Sequence, residues 1–166
     1  MDFKRDILPL KNIMFRTALR IVINREEAED IVQECLVKIW KQTQGGESIN
    51  NLESYALTIT RNLALDRKAL SVNRVMSLDE SIHDQEDEHQ QSPEQILMQD
   101  ENTSIIMQLV NALPEKQRSI MQLRDIEGKS YKEIAEILNI SESDVKISLF
   151  RARKQIKEDY LKMGIL

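Results

Sequence analysis

One cysteine, Cys35, is all that 166 residues contain. No internal disulfide can form, which fits a reducing compartment and sets the cytoplasm as the expected location. Three prolines and four glycines are too few for the many turns of an all-β fold. No apolar run approaches the ~18 residues of a membrane-spanning helix. The opening residues MDFKRDILPLKN lack the apolar stretch and small-residue cleavage site of a secretory signal, so none is expected. There is no P-loop, CxxC pair or HExxH, and no nucleophile has an evident base. The expectation is a protein that is not an enzyme and uses no cofactor. His83 and His89 have no cysteine or second histidine pair to complete a ligand set, so no metal site is expected.

Positive charge is also missing from one stretch. Residues 76–107 hold nine Asp or Glu and not one Lys or Arg, whereas each flank is mildly basic. The chain's net charge of −5 therefore belongs to its middle. From His83 to Pro93 no residue is aliphatic or aromatic. Such a segment cannot bury enough apolar surface to offset its ordering entropy. It reads as a flexible acidic linker, residues 76–102, between helical domains at 1–75 and 103–166. Apolar residues reach 41% and charged residues 31%, and the best apolar patterns have the helical period. The fold class is all-α, two small helical domains.

In the second domain, NTSIIMQLVNAL (102–113) has helical spacing at Ile105, Ile106, Leu109, Val110 and Leu113. Pro114 then fits the first turn of a new helix, and Gly128 is placed to end it. Ser130 and Glu133 form a capping box that opens a short helix with Ile134, Ala135, Ile137 and Leu138 on one face. Asn139 tolerates the left-handed turn conformation, and Ile140 can plug the gap between helices. Ser141 caps another start, after which Val145, Leu149, Ala152 and Ile156 recur at helical spacing. Two helices joined by so short a turn, the second basic, make a helix-turn-helix. Off its buried face the second helix carries Lys146, Phe150, Arg151, Arg153, Lys154 and Lys157. Cations suit phosphates and guanine edges, and an apolar ring suits thymine methyls. A solvated basic face is the alternative; the capped helix, the tight turn and the exposed Phe150 favour DNA.

In the first domain, REEAEDIVQECLVKIWK (25–41) has apolar residues at 28, 31, 32, 35, 36, 39 and 40, the stripe of an amphipathic helix. Cys35 and Trp40 lie on it and are expected in the core. Phe15 to Ile23 should be an earlier helix packed against it. NLESYALTITRNLALDRKAL (51–70) is a third, burying Leu52, Tyr55, Ala56, Ile59, Leu63 and Leu70, with Thr58, Arg61, Asn62, Asp66 and Lys68 outside. On residues alone Asp30, Gln33 and Glu34 form a solvated face, and Asn62 is an exposed polar residue. Asp66 is placed to pair with a neighbouring Arg.

YKEIAEILNISESDVKISLFRARKQI resembles the region-4 helix-turn-helix of bacterial RNA polymerase sigma factors, of the extracytoplasmic-function (ECF) group. DIVQECLVKIW is similar to the D-x-V-Q-E segment of region 2 in the same family. The resemblance covers residues 8–70 and 103–160. It implies two partners, polymerase core and promoter DNA, with an anti-sigma factor as a candidate third, and no insertion into membranes. It implies that Asp30, Gln33 and Glu34 dock on polymerase core. It implies that the second domain reads the upstream (−35) element. There Lys146, Phe150 and Arg151 approach bases, Arg153 and Lys154 hold phosphates, and Lys132 and Ser141 are further contacts. It implies that the first domain reads the downstream (−10) element, with Asn62 at a flipped-base pocket and Arg61, Arg67 and Lys68 along the strand. The family's usual Gly-Thr before the Val is Ser143-Asp144 here, and its Ser-Arg after the Lys is Ile147-Ser148. The competing reading is a stand-alone helix-turn-helix regulator, which would carry alternating strands in its first half. At 27 residues the linker reaches at most ~90 Å, enough to bridge elements roughly 50 Å apart.

Overall fold

Asn24 separates the first two helices and starts the second: its side chain accepts from the Glu27 amide at 2.9 Å. A computed structural model of the chain describes residues 2–46, 49–77 and 101–164. Among these are seven α-helices and no strand. A π-helical turn (Phe3–Ile7) and a 3₁₀ turn (Leu8–Leu10) lead into α1, Lys11–Val22. α2 is Arg25–Gln44 and α3 is Leu52–Ser77. α4 is Glu101–Asn111, and α5, Glu115–Met121, runs on into a π-helical turn at Gln122–Ile126. α6, Tyr131–Leu138, and α7, Glu142–Lys162, complete the chain. The acidic segment expected to be a linker lies, for 78–100, outside the described residues, and α3 and α4 extend into its two ends.

The caps form where the sequence puts them. Ser130 accepts from the Glu133 amide while Glu133 reaches back to the Ser130 amide. Asn139 ends α6 in the left-handed region at φ 56°, and Ser141 accepts from the Asp144 amide to start α7. Gly128 turns the chain after the π-helical turn at φ 73°, where a side chain would be strained. The helix expected at Phe15–Ile23 begins earlier, at Lys11, and Ile23 is its left-handed C-cap at φ 51°.

Ala28, Ile31, Val32, Cys35, Leu36 and Ile39 of α2 are buried, as the stripe requires. Each Ile, Val and Leu among them gains roughly 1.5–3 kcal/mol by leaving water. Two residues expected to be buried are not. Trp40 is 37% exposed and sits edge-on to Phe3, with ring centroids 5.5 Å apart. It lies at the rim because the π-helical turn, not a helix, covers that end of α2. Leu70 is 61% exposed, since α3 has by then run past the helices that cover its start.

The two halves share one apolar cluster. Met14, Ala18 and Ile21 of α1 and Ala56 and Leu57 of α3 belong to the same cluster as Ile120, Leu123, Ile134 and Leu138. α1 packs on α5, and α3 on α6. Polar contacts surround this seam. Arg16 pairs with Glu127 through two bonds of 2.7 and 2.8 Å, Lys129 pairs with Glu53, and Arg20 donates to Asn111 at 2.8 Å. Arg118, 5% exposed, donates to the carbonyls of Arg20 (2.7 Å), Ile21 (3.2 Å) and Leu113 (2.7 Å). The first two are among the carbonyls that the last turn of α1 leaves without a helical partner.

Candidate nucleic-acid interface

α7 buries Val145, Leu149 and Ala152 and half-buries Ile156. This fixes its rotation, and everything off that face meets solvent. Lys146, Phe150, Arg151, Arg153 and Lys154 are all exposed, as are Lys132 and Ser141. Phe150 is 69% exposed, a cost no soluble helix needs to carry for folding. With Tyr131, Leu149 and Lys157 it lines an open depression edged by Lys146, Arg153 and Lys154. The sequence places cations on this face, and the structure brings them together around an apolar floor.

Three contacts on this surface were not legible in the sequence. The ring of Tyr131, first residue of α6, lies between two cations: the Arg124 guanidinium 4.3 Å and the Lys146 ammonium 5.4 Å from its centroid. Its one outward signal was an aromatic residue at the start of the first helix of the motif. Arg153 is held by Asp125, with one bond of 3.2 Å and a second, shorter one, and the carboxylate raises its pKa further. Asp144, the acid that departs from the family pattern, accepts from Lys116 at 2.7 and 2.8 Å and from Ser148 at 3.1 Å. The Lys116 bond holds its carboxyl below the usual range. Its charge is thus turned toward α5 and compensated, and Ser148, another of the departures, is buried beside it. Among the described residues no carboxylate pairs with Arg151, Lys154 or Lys157.

In the first half, Asp30 and Gln33 are exposed on α2 and Glu34 is half-buried. Glu34 accepts from Arg67 at 2.5 Å, with Asp30 3.7 Å from the same guanidinium. One arginine assigned to the −10 strand therefore braces two residues assigned to polymerase. Asn62 is exposed on α3. Asp66 is exposed too, and among the described residues no cation pairs with it; the neighbouring Arg67 is taken by α2.

Arg61 is not outside. Its side chain is 11% exposed, pairs with Glu115 of α5 and donates to Ser119 at 3.0 Å. Burial pushes the Glu115 carboxyl up, but hydrogen bonds from Arg61 and Ser119 and the charges of Arg61 and Arg118 outweigh it and hold it below the ordinary range. Lys68 is half-buried nearby, its ammonium pushed down by burial and by the charge of Arg118. The four −10 candidates are thus split: Asn62 faces solvent, Arg67 faces α2, and Arg61 and Lys68 lie toward α5.

No group of three or more His, Cys, Asp or Glu suited to a metal occurs among the described residues, and none of their helices is long and apolar enough to cross a membrane. No strand that a receiver-type regulator would need is found among them either.

Two family models match in chain order: "Sigma-70 region 2" over residues 8–70 and "Sigma-70, region 4" over residues 103–156. The ECF RNA polymerase sigma factor SigE of Mycolicibacterium smegmatis is 30% identical over 89% of this chain, which spans 57% of that relative's length. The RNA polymerase sigma-H factor of Pseudomonas aeruginosa is 28% identical over 91% of this chain and 83% of its own. Among solved structures, the sigma factor RpoE of Bartonella quintana, in complex with the anti-sigma factor NepR, matches with a TM-score of 0.70 and 25% identity over 95% of both chains. That likeness takes in both halves at once. The chain belongs to the sigma-70 family of RNA polymerase sigma factors, in its extracytoplasmic-function group.

Proposed function

We propose that the chain is a promoter-specificity subunit. It docks on RNA polymerase core through Asp30, Gln33 and Glu34 of α2. It reads a −35 element with α7 and a −10 element with α3, and has no chemistry of its own. The observation that carries this reading is the pairing of two matched segments, each with its own exposed polar face. One face is acidic on α2, suited to a basic protein partner. The other is cationic and aromatic on α7, suited to a major groove.

The roles divide by chemistry. Lys146, Phe150 and Arg151 face outward from the first turns of α7, the part of a recognition helix that meets base edges. Lys154, Arg153, Lys132 and the Ser141 hydroxyl suit phosphates, which position a protein without specifying sequence. Tyr131 joins them as a rigid stop that keeps Lys146 extended over its ring. Asn62 and the cations of α3 suit a melted strand. The domains are assigned as 1–75 and 103–166, each tied to one element, and the protein works in the cytoplasm. An anti-sigma factor is a further expected partner.

The test is transcription by purified polymerase core with and without the chain, on a library of promoters. Specific initiation that depends on the chain is the expected result. Core that initiates identically in its absence, or a chain that does not co-purify with core, overturns the reading.

A further inference from the structure

From Ser143 to Lys157 the recognition helix carries a single acid, Asp144. Folding does not require it there. Ser141 already caps α7, accepting from the Asp144 amide at 3.0 Å, and Glu142 already places a negative charge in the first turn. The position is nevertheless a sensitive one, because the first turns of such a helix are the part that meets base edges.

The bonds of Asp144 leave its carboxylate incomplete. A carboxylate offers about four acceptor sites. Lys116 takes one on each oxygen, at 2.8 Å on Oδ1 and 2.7 Å on Oδ2, and Ser148 takes the second on Oδ1 at 3.1 Å. Among the described residues nothing bonds to the second site of Oδ2, and the side chain is 37% exposed. Three bonds therefore fix the orientation of the group and leave one acceptor unused. The acceptor is also kept ionised: the Lys116 bond, with Ser148 and the charge of Arg151 assisting, holds the carboxyl below its usual range. Lys116 at the same time cancels the charge that would repel phosphates.

In the major groove the donors on base edges are the amino groups of cytosine and adenine. Adenine sets its N7 acceptor beside the amino group, which a carboxylate would meet lone pair to lone pair. Cytosine presents its N4 amino group alone. An ionised acceptor at this place therefore selects cytosine. Lys146 and Arg151, which only donate, cannot make that choice.

We propose that Asp144 is a specificity-determining residue: its Oδ2 accepts from the N4 amino group of a cytosine in the −35 element, while Lys116 and Ser148 are positioning residues that orient it. This rests on the −35 assignment of α7 made above.

The experiment reconstitutes the full chain with polymerase core and selects bound promoters from a library randomised across the −35 element. Wild type should favour cytosine about tenfold at one position, the worth of one charge-assisted bond. Asp144→Ala should erase that preference and keep the others. Asp144→Asn should move the same position toward adenine, whose N6 and N7 match an amide. A side chain that merely braced the helix would not convert one base preference into another. Lys116→Met should weaken binding to every sequence, and Lys116→Arg, which keeps the charge, should restore it.

If Asp144→Ala binds every duplex more tightly and selects the wild-type sequence, the acid is only a repulsive neighbour and the proposal is wrong. If Asp144→Ala and Asp144→Asn leave the selected sequence unchanged while Arg151→Ala alters it, the proposal falls and the −35 assignment stands. If no variant of Asp144, Lys146 or Arg151 alters it, the assignment and the proposal fall together. Wild-type binding by Lys116→Met overturns the part given to Lys116.

Discussion

Changing Asp125 to Asn should tighten duplex binding, although Asp125 is placed to touch no DNA. Arg153 can reach a phosphate only by leaving Asp125, and that exchange lowers its net contribution. Both side chains are substantially exposed, at 52% and 33%, so the pair is a surface one. Its loss costs about 0.2–1 kcal/mol. Asp125→Asn should therefore raise affinity for duplex by about 1.5- to 5-fold, the same energy read as an equilibrium ratio. Among the described residues Lys154 has no such partner, and it gives the comparison. Three cations are assigned to phosphates of the −35 contact: Lys132, Arg153 and Lys154. Neutralising three phosphates implies a slope of log affinity against log salt of about −2.7, or a ~40-fold loss from 50 to 200 mM. Lys154→Ala should bring the slope to about −1.8 and the loss to ~12-fold, on every duplex sequence alike. Arg153→Ala should lose less affinity at low salt than Lys154→Ala. The assay is anisotropy of the full chain on labelled duplex across a salt series. A slope unchanged by Lys154→Ala, or weaker binding by Asp125→Asn, would refute the reasoning.

Replacing Asp30, Gln33 and Glu34 by Ala should abolish co-purification with polymerase core while leaving helix content nearly intact; a Gln33→Ala/Glu34→Ala double variant that still co-purifies fully counts against the docking surface. Ile31, fully buried beside them, should behave oppositely: Ile31→Ala costs roughly 2–5 kcal/mol in urea unfolding, and a cost below that range would mean the stripe is not core. Acid should open the seam between the halves. Glu115 and Glu127 are both held below their ordinary 4.5 by arginine partners against the upward push of burial. Depressed carboxyls stabilise fully above the ordinary value and lose that contribution as pH falls through the lower, folded one. Scattering should thus report a compact chain at neutral pH and expansion only below about pH 4.5, with the Glu115→Gln/Glu127→Gln variant less sensitive to acid; an identical acid profile in that variant would exclude these two groups as the cause.

What the sequence carried, and what it did not, divides by range. The capping box at Ser130 and Glu133, the left-handed Asn139 and the Ser141 cap are local events, set within four residues, and each formed where its side chains could reach. The buried stripe of α2 is a matter of helical period, and only its last member, Trp40, left the core. The exposed face of α7 follows from the buried one by rotation. Charge sites were different. A surface position says that Arg61 is charged; it does not say that Glu115, 54 residues on, will meet it. Arg118 likewise reads as one more cation until the end of α1, nearly a hundred residues earlier, supplies its carbonyls.

Asp144 shows how far such pairing can alter a functional reading. At the start of a recognition helix an extra acid reads as repulsion toward phosphate. An N-terminal acid is nevertheless favoured by the helix dipole, and Lys116 neutralises it from α5. The sign of its effect on DNA therefore depends on a residue 28 positions away. The same logic applies to the seam. Each half has an apolar helical face of its own, and the sequence treats the two as independent because the centre of the acidic segment between them, residues 83–93, has no aliphatic residue to join them. Yet Ile120 and Leu123 are buried in a cluster with Met14 and Ile21. Their aliphatic area must be covered by something whenever the chain is free, and the nearest apolar surface is its own first half. Parting the halves exposes that area unless another surface takes it. The cost of parting the halves is thus written into the core, and the ion pairs at its edge add to it.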